Sequence, residues 1–284
     1  MKKIRLATRG SPLALIQAQM TADYLRGKIP GAEFEVIEVK TRGDKNQALS
    51  LSADGGMGLF TKEIENALLE GAADIAVHSA KDMPTEIAPG LRIAGCLPRD
   101  AYRDVLVLRD GVEVPSLIAS SSPRRRAQLK KLFPNVVWSE LRGNVHTRLS
   151  KVISGLADAT VLSEAGLSRL GLDRFDGVVF KPLKIDICVP AAGQGIIAYE
   201  CREDDFEMFG KFSDDGAMRA LSVERAFLRG LGAGCQTACA AYFDGSSLRI
   251  FHEDCGFKKI DVRPDASSEE LLDIAAAAAA KIRG

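Results

Sequence analysis

The sequence predicts an α/β protein built from two similar lobes, followed by a small α+β C-terminal domain. Three observations predict it. Strand-like and helix-like stretches alternate along most of the chain. The order strand, Ser-Pro, helix occurs twice with arginine beside the turn: Arg9 by Ser11-Pro12, then Arg124 and Arg125 after Ser122-Pro123. From residue 238 onward, short strands in succession replace the alternation. A length of 284 residues favours about two domains with room for a third small one. The expected boundaries are 1–98 with 194–212 for the first lobe, 99–193 for the second and 213–284 for the third.

Lys3 to Thr8 reads as a strand. Ser11 suits the N-cap and Pro12 the first turn of the helix that follows, with Leu13, Ile16 and Met20 recurring on one face. Phe34 to Val39 is a second strand, and Phe60 to Leu69 an amphipathic helix closed by Gly71. Asp74 to His78 and Leu91 to Leu97 are further strands, which together argue for a largely parallel sheet. The second lobe opens on strand 116–120, a helix through Leu132 and strand 136–141. Asn144 caps a helix, 159–162 is a strand and 164–170 a helix. PAAGQG, 190–195, reads as a crossing back to the first lobe, which is expected to face the second. A helix over 216–232, strands near 238–243, 247–252 and 258–263, and a helix over 268–282 complete the chain.

The 38 basic residues balance 38 acidic ones, so bulk charge selects no partner and any electrostatic function must come from local clustering. The first residues lead straight into a strand without a signal-peptide pattern, and the alanine run 275–280 is too short to span a bilayer. Six cysteines without a CxxC pair and three histidines argue against zinc or any other metal site. Reduced thiols and a cytoplasmic location follow as the default.

Between Ser120 and Arg148 stand Arg124, Arg125, Arg126, Lys130, Lys131, Arg142 and Arg148 against one acid, Glu140. A guanidinium fork matches carboxylate geometry, and a helix N-terminus adds backbone donors. A solvated helix face explains a basic triplet alone, but two Ser-Pro helix starts with arginine point to a site for several anions. Nucleic acid fits less well, because only 6% of residues are aromatic and stacking platforms are few. In DIAVHSAKDMPTE, 74–86, a buried-type strand ends at Ser79 and leaves Lys81-Asp82 on the turn, where α/β folds bind ligands. A surface Lys–Asp pair is the bland alternative, and His78 reads as a satisfied strand residue. The Gly193-x-Gly195-x-x-Ala198 letters mimic a dinucleotide fingerprint, yet a strand follows them instead of a helix. Most of the cysteines read as buried, inert thiols. Cys235 differs, because Gly-Ala-Gly before it strips away bulk. A helix C-terminus does not lower a thiol pKa, so a single permanent attachment suits it better than repeated nucleophilic turnover.

Taken together, ATRGSPLALIQA, TRGDK, GLFTKEIENALLEGAADIAVHSAKDMPT, SSPRRRAQL, LRGNVHTRL, AGLSRLGL, PAAGQGIIAYECR and GAGCQT closely resemble the porphobilinogen deaminase (hydroxymethylbilane synthase) family. They run in the family's order from residue 7 to residue 237. The resemblance implies a cytosolic monomer with lobes like type II periplasmic binding proteins. It implies an enzyme that deaminates porphobilinogen, joins four units and releases the linear tetrapyrrole by hydrolysis. By the same resemblance Cys235 carries a dipyrromethane cofactor through a thioether, and Asp82 is the catalytic carboxylate. Lys81, Ser122, Arg124, Arg125 and Arg148 match cofactor-binding positions. Arg9, Ser11, Arg142, Arg169 and Gln194 match substrate-binding positions. No nucleic acid or membrane is implied. Met57 departs from a lysine common in relatives, Pro123 from an aliphatic residue, and Thr237-Ala238 from Val-Pro. The competing reading is a non-catalytic, two-lobed binder of a small polyanion, which leaves Cys235 without a role.

Overall fold

A computed structural model describes residues 2–41, 61–232 and 237–283, so Met57 and Cys235 lie outside the described residues. The chain divides into two compact units, Met1–Asp100 with Ile196–Ser222, and Ala101–Gly195 with Val223–Gly284. In chain order the strands are β1 (Lys2–Arg9), β2 (Ala32–Val39), β3 (Ile75–Ser79), β4 (Leu91–Cys96) and β5 (Asp104–Arg109). Then come β6 (Leu117–Ala119), β7 (Val137–Ser139), β8 (Ala159–Ser163) and β9 (Val178–Pro182). The last are β10 (Ile197–Arg202), β11 (Cys239–Phe243), β12 (Ser247–His252) and β13 (Gly256–Asp261).

The first unit holds a five-stranded sheet in the order β2-β1-β3-β10-β4. β1 pairs in parallel with β2 and β3, as helical crossovers require. β10 enters antiparallel between β3 and β4. The helix Pro12–Arg26 starts where expected: the Ser11 hydroxyl accepts from the Ala14 N–H, and Pro12 occupies the first turn. Its buried face is not the one that Leu13, Ile16 and Met20 suggested. Gln17, Ala18, Thr21, Ala22 and Leu25 are buried, and Met20 is exposed. Small side chains let the helix approach the sheet, and Gln17 is fixed by hydrogen bonds exchanged with Ser79 Oγ at 2.8 and 3.0 Å. Apolar spacing alone does not register that polar anchor. Ile4, Leu6, Ile75, Val77, Ile197 and Tyr199 form the core beneath this helix. The helix Lys62–Leu69 covers a second core with Ala7, Ala73 and Ala76 through Ile64 and Leu68. Each buried leucine contributes roughly 1.5–3 kcal/mol.

The second unit repeats the pattern as β7-β6-β8-β5-β9, with β6 parallel to β7 and β8, and β5 antiparallel between β8 and β9. Both sheets are therefore mixed, each holding one antiparallel strand that the expectation of a largely parallel sheet does not specify. Ser122 caps the helix Pro123–Leu129 through the Arg125 N–H, and Asn144 caps Val145–Ile153 through the Thr147 N–H at 2.9 Å. The first of these helices stops before Leu132: Leu132 and Phe133 N–H both turn back to the Leu129 carbonyl, and Pro134 follows. The same unit includes the antiparallel sheet β11-β12-β13 and the helix Ser268–Arg283. Val189, Ala240, Tyr242 and Phe251 pack together there with Tyr102, whose ring lies 4.4 Å from that of Tyr242. Two α/β lobes and a small extra sheet with its helix are the architecture that the alternation predicted. Among the described residues no helix is long and apolar enough to cross a membrane.

Candidate active site

β3 is apolar and buried up to His78, and the chain leaves it through the 3-10 turn Ala80–Asp82. That turn is held by its backbone: Ala80 N–H donates to the Ile196 carbonyl at 3.0 Å and Met83 N–H to the Ala80 carbonyl at 3.3 Å. Ala80 and Met83 are buried, so Asp82 between them is exposed while Lys81 is half-buried. A pocket opens at this carboxyl end of the sheet. Its lining includes Arg9 from the end of β1, Ser11 and Gln17 from the next helix, and Thr61, His78, Ser79 and Asp82. Three predicted site residues, Arg9, Ser11 and Asp82, thus meet in one cavity of the first unit.

Behind the lining lies a cluster that the sequence reading did not assemble. In the β3–β10 pairing His78 stands opposite Ala198 and Ala76 opposite Glu200, which places His78 and Glu200 two positions apart on one face. His78 Nε2 and Glu200 Oε2 are 3.2 Å apart, with side chains 5% and 1% exposed, and they are not aligned as a hydrogen bond. Glu65, buried on the covering helix, has its carboxyl pushed above the ordinary glutamate range by burial first and by the Glu200 charge second. The signal for Glu200 was present as an acid inside the apolar run IIAYEC.

In the second unit Arg124 and Arg125 are buried and joined to Asp104, which has no solvent exposure. Arg124 Nη1 donates to Asp104 Oδ2 and to the Val189 carbonyl, each at 2.7 Å. Arg125 donates to Asp104 Oδ1 from Nε at 3.0 Å and Nη2 at 2.7 Å, and from Nη1 to the Val161 carbonyl at 2.7 Å. Burial would raise the Asp104 carboxyl, and the two guanidinium charges overcome it and hold the group well below the ordinary range. Gln194 is fully buried beside them, donating from Nε2 to the Tyr102 carbonyl at 2.7 Å and to Asp104 Oδ1 at 3.2 Å. Arg148 donates to the Gly143 carbonyl at 2.8 Å and Arg169 to the Gly195 carbonyl at 2.7 Å. Arg142 stands 3.9 Å from Glu140. Ser122 remains the helix cap described above. The structure therefore ties Arg124, Arg125 and Gln194 to one aspartate that sequence reasoning passed over. An acid heading the apolar run VLVL was the available clue.

Cys96, Cys188 and Cys201 are buried, and Cys239 and Cys255 are partly so. Burial pushes the Cys188 thiol up to about 12 and the Cys201 thiol up to about 11, so both stay protonated near neutral pH.

The family model described as "Porphobilinogen deaminase, dipyromethane cofactor binding domain" matches residues 4–209. A protein named "Probable porphobilinogen deaminase" from Hyperthermus butylicus is 42% identical over 297 aligned positions, covering 99% of this chain and 96% of its own length. "Porphobilinogen deaminase" from Geobacillus kaustophilus is 43% identical over 250 positions, 85% of this chain and 80% of its own. Among solved structures, the VFT2 domain of Bordetella pertussis BvgS aligns with a TM-score of 0.45 at 18% identity, over 74% of this chain and 85% of that one.

Proposed function

The chain belongs to the porphobilinogen deaminase family, and we propose that it works at Asp82, on the rim of the first unit's pocket. The activity is that of a hydroxymethylbilane synthase, the deamination and polymerisation of porphobilinogen in tetrapyrrole synthesis, with a dipyrromethane cofactor. One observation carries the placement: an exposed carboxylate held by a rigid turn in the same pocket as a guanidinium and a hydroxyl. Loss of ammonia from porphobilinogen leaves a cationic methylenepyrrolenine. Asp82 accepts pyrrole N–H bonds and stabilises that charge, while Arg9 and Ser11 bind the ring's acidic side chains.

A dipyrromethane combines pyrrole N–H donors with several carboxylates, and this donor set fits it. When bound, it supplies the pyrrole from which the chain grows. Lys81, Ser122, Arg124, Arg125 and Arg148 are proposed to hold it, and Arg142, Arg169 and Gln194 to hold substrate. The Asp104 clamp supports the two arginines in that role by fixing the direction of their planes. Cys235 is proposed as the thioether carbon's partner. The raised thiol pKa values of Cys188 and Cys201 support that choice by making those two poor attachment points. A cytoplasmic monomer, with a C-terminal domain from residue 213 that carries the cofactor, completes the reading.

Intact-mass measurement under denaturing conditions tests it. The wild type, as purified or after incubation with porphobilinogen, should gain the mass of two linked pyrrole units, and Cys235→Ser should not. An increment that persists in Cys235→Ser points to a different thiol. A wild type that never acquires mass or releases hydroxymethylbilane leaves the polyanion binder as the better reading.

A further inference from the structure

The Glu65–His78–Glu200 cluster has no part in the chemistry described so far. It is costly to keep: two carboxylates and an imidazole lie buried together, and among the described residues Glu65 Oε1, His78 Nε2 and both Glu200 oxygens have no hydrogen-bond partner. Among the described residues no group of three or more His, Cys, Asp or Glu, this one included, is arranged to hold a metal ion. Among its three described members His78 is the one that lines the pocket that Asp82 borders. The charged groups around this histidine are Glu200 from β10, Glu65 from the covering helix, and Arg9 and Asp82 across the pocket.

Each condensation frees a proton. The C–N bond of the aminomethyl group, in its ammonium form, breaks, and its electron pair leaves with nitrogen as ammonia. The free α-carbon of the pyrrole at the growing end supplies the electrons of the new C–C bond. Its C–H bond then breaks, returning that electron pair to the ring and setting the proton loose. Asp82 compensates the cation with its charge and would lose that role on taking the proton, which leaves the proton to a second group.

We propose that His78 is a further catalytic residue, the base that takes this proton through the ring nitrogen not facing Glu200. Glu200 then stands against the imidazolium as its counter-charge, in the way a carboxylate behind a histidine base does. The proton passes on to ammonia or water, so ammonium is the net product and the histidine is reset. The upward push on Glu65, to which the Glu200 charge contributes after burial, fits this arrangement. The inference rests on the Asp82 pocket being where porphobilinogen condenses.

The cluster can be tested with its own residues left intact. Its three histidines are His78, His146 and His252. In histidine-labelled protein carrying His146→Gln and His252→Gln, the remaining imidazole signal should show both charge states as pH is varied. A signal that keeps one charge state across the range overturns the proposal. In turnover assays His78→Gln should lose roughly 10²–10⁴-fold in kcat with little change in KM, while retaining the covalent cofactor mass. Its isotope effect with α-deuterated porphobilinogen should rise, because proton removal becomes limiting. Should His78→Gln fail to fold, Glu200→Gln in the same assay and the histidine titration decide. A wild type that makes no hydroxymethylbilane defeats the pocket reading itself. An active wild type with His78→Gln turning over within threefold of it defeats this proposal alone.

Discussion

Arg125 grips Asp104 Oδ1 with two donors, Nε at 3.0 Å and Nη2 at 2.7 Å, at a carboxylate with no solvent exposure. Such a pair is strong only while whole. Removing one charge leaves its partner buried and uncompensated, which costs about 3–5 kcal/mol. Two guanidinium groups depend on this aspartate, Arg124 being the other. Asp104→Asn should therefore lower the stability of the second unit by that order, read as a shift in urea midpoint at constant m-value. A loss below about 1 kcal/mol would show that the arginines find water or another partner.

What the sequence disclosed follows from the range of the interaction involved. Ser11-Pro12 and Ser122-Pro123 announced their helices because capping is settled within four residues. The covering helix at Lys62 and the strand before His78 were legible from apolar patterning. Asp82 on its turn was legible from the end of an apolar strand and from family resemblance together. By contrast, the placement of β10 between β3 and β4 depends on pairing more than a hundred residues apart, which no local pattern encodes. The arginine triplet gave the chemistry of anion binding but hid its anchoring. Arg124 and Arg125 reach back to Asp104, 20 and 21 residues upstream, while Arg126 turns to the Ser120 and Ser139 carbonyls. Three adjacent arginines thus share a charge and differ in partner. His78 read as an ordinary strand residue because its partner Glu200 lies on a neighbouring strand that is more than a hundred residues away in sequence.

Asp82 is a case where function and stability should separate. It is exposed on a turn whose backbone bonds and buried neighbours do not involve its carboxylate. Asp82→Asn should leave stability within about 0.5 kcal/mol of the wild type. Turnover should fall roughly 10²–10³-fold or more, since the neutral amide cannot compensate a pyrrole cation. Thermal melting paired with an assay for hydroxymethylbilane checks both halves. Normal turnover would remove Asp82 from the chemistry, and a large loss of stability would show a structural partner instead.

Gly95 tests the packing behind β10. A Cβ at this position of β4 would overlap Tyr199 Oη and Cζ and come to 3.0 Å from Ser213 Cβ. The tyrosine ring is fully buried, so it has no open space to move into. Gly95→Ala should cost about 1–3 kcal/mol by overpacking. For a protein of this size that is a fall in Tm of several degrees, at roughly 2–4 °C per kcal/mol. An unchanged Tm would mean that the ring and the stretch around Ser213 yield together.

Glu65 should give the folded protein a pH dependence opposite to that of an ordinary surface acid. Its carboxyl is raised by burial first, with the Glu200 charge adding to the rise, while His78 and Thr61 work the other way. A raised folded-state value means that the native protein holds the proton more tightly than the unfolded chain does. The stabilising contribution is then complete below the unfolded value, about 4.3, and is lost as pH rises through the folded value. Glutamine has nearly the same shape and does not titrate. The Tm of Glu65→Gln minus that of the wild type should consequently be small at pH 5 and grow toward pH 8. At roughly 2–4 °C per kcal/mol, even a modest shift in the carboxyl gives a difference that scanning fluorimetry resolves. Measuring at pH 5, 6.5 and 8 in one ionic strength separates this from a simple change in packing, which offsets both curves equally. A difference that stays flat across the three would mean that burial does not raise the Glu65 carboxyl in the folded protein.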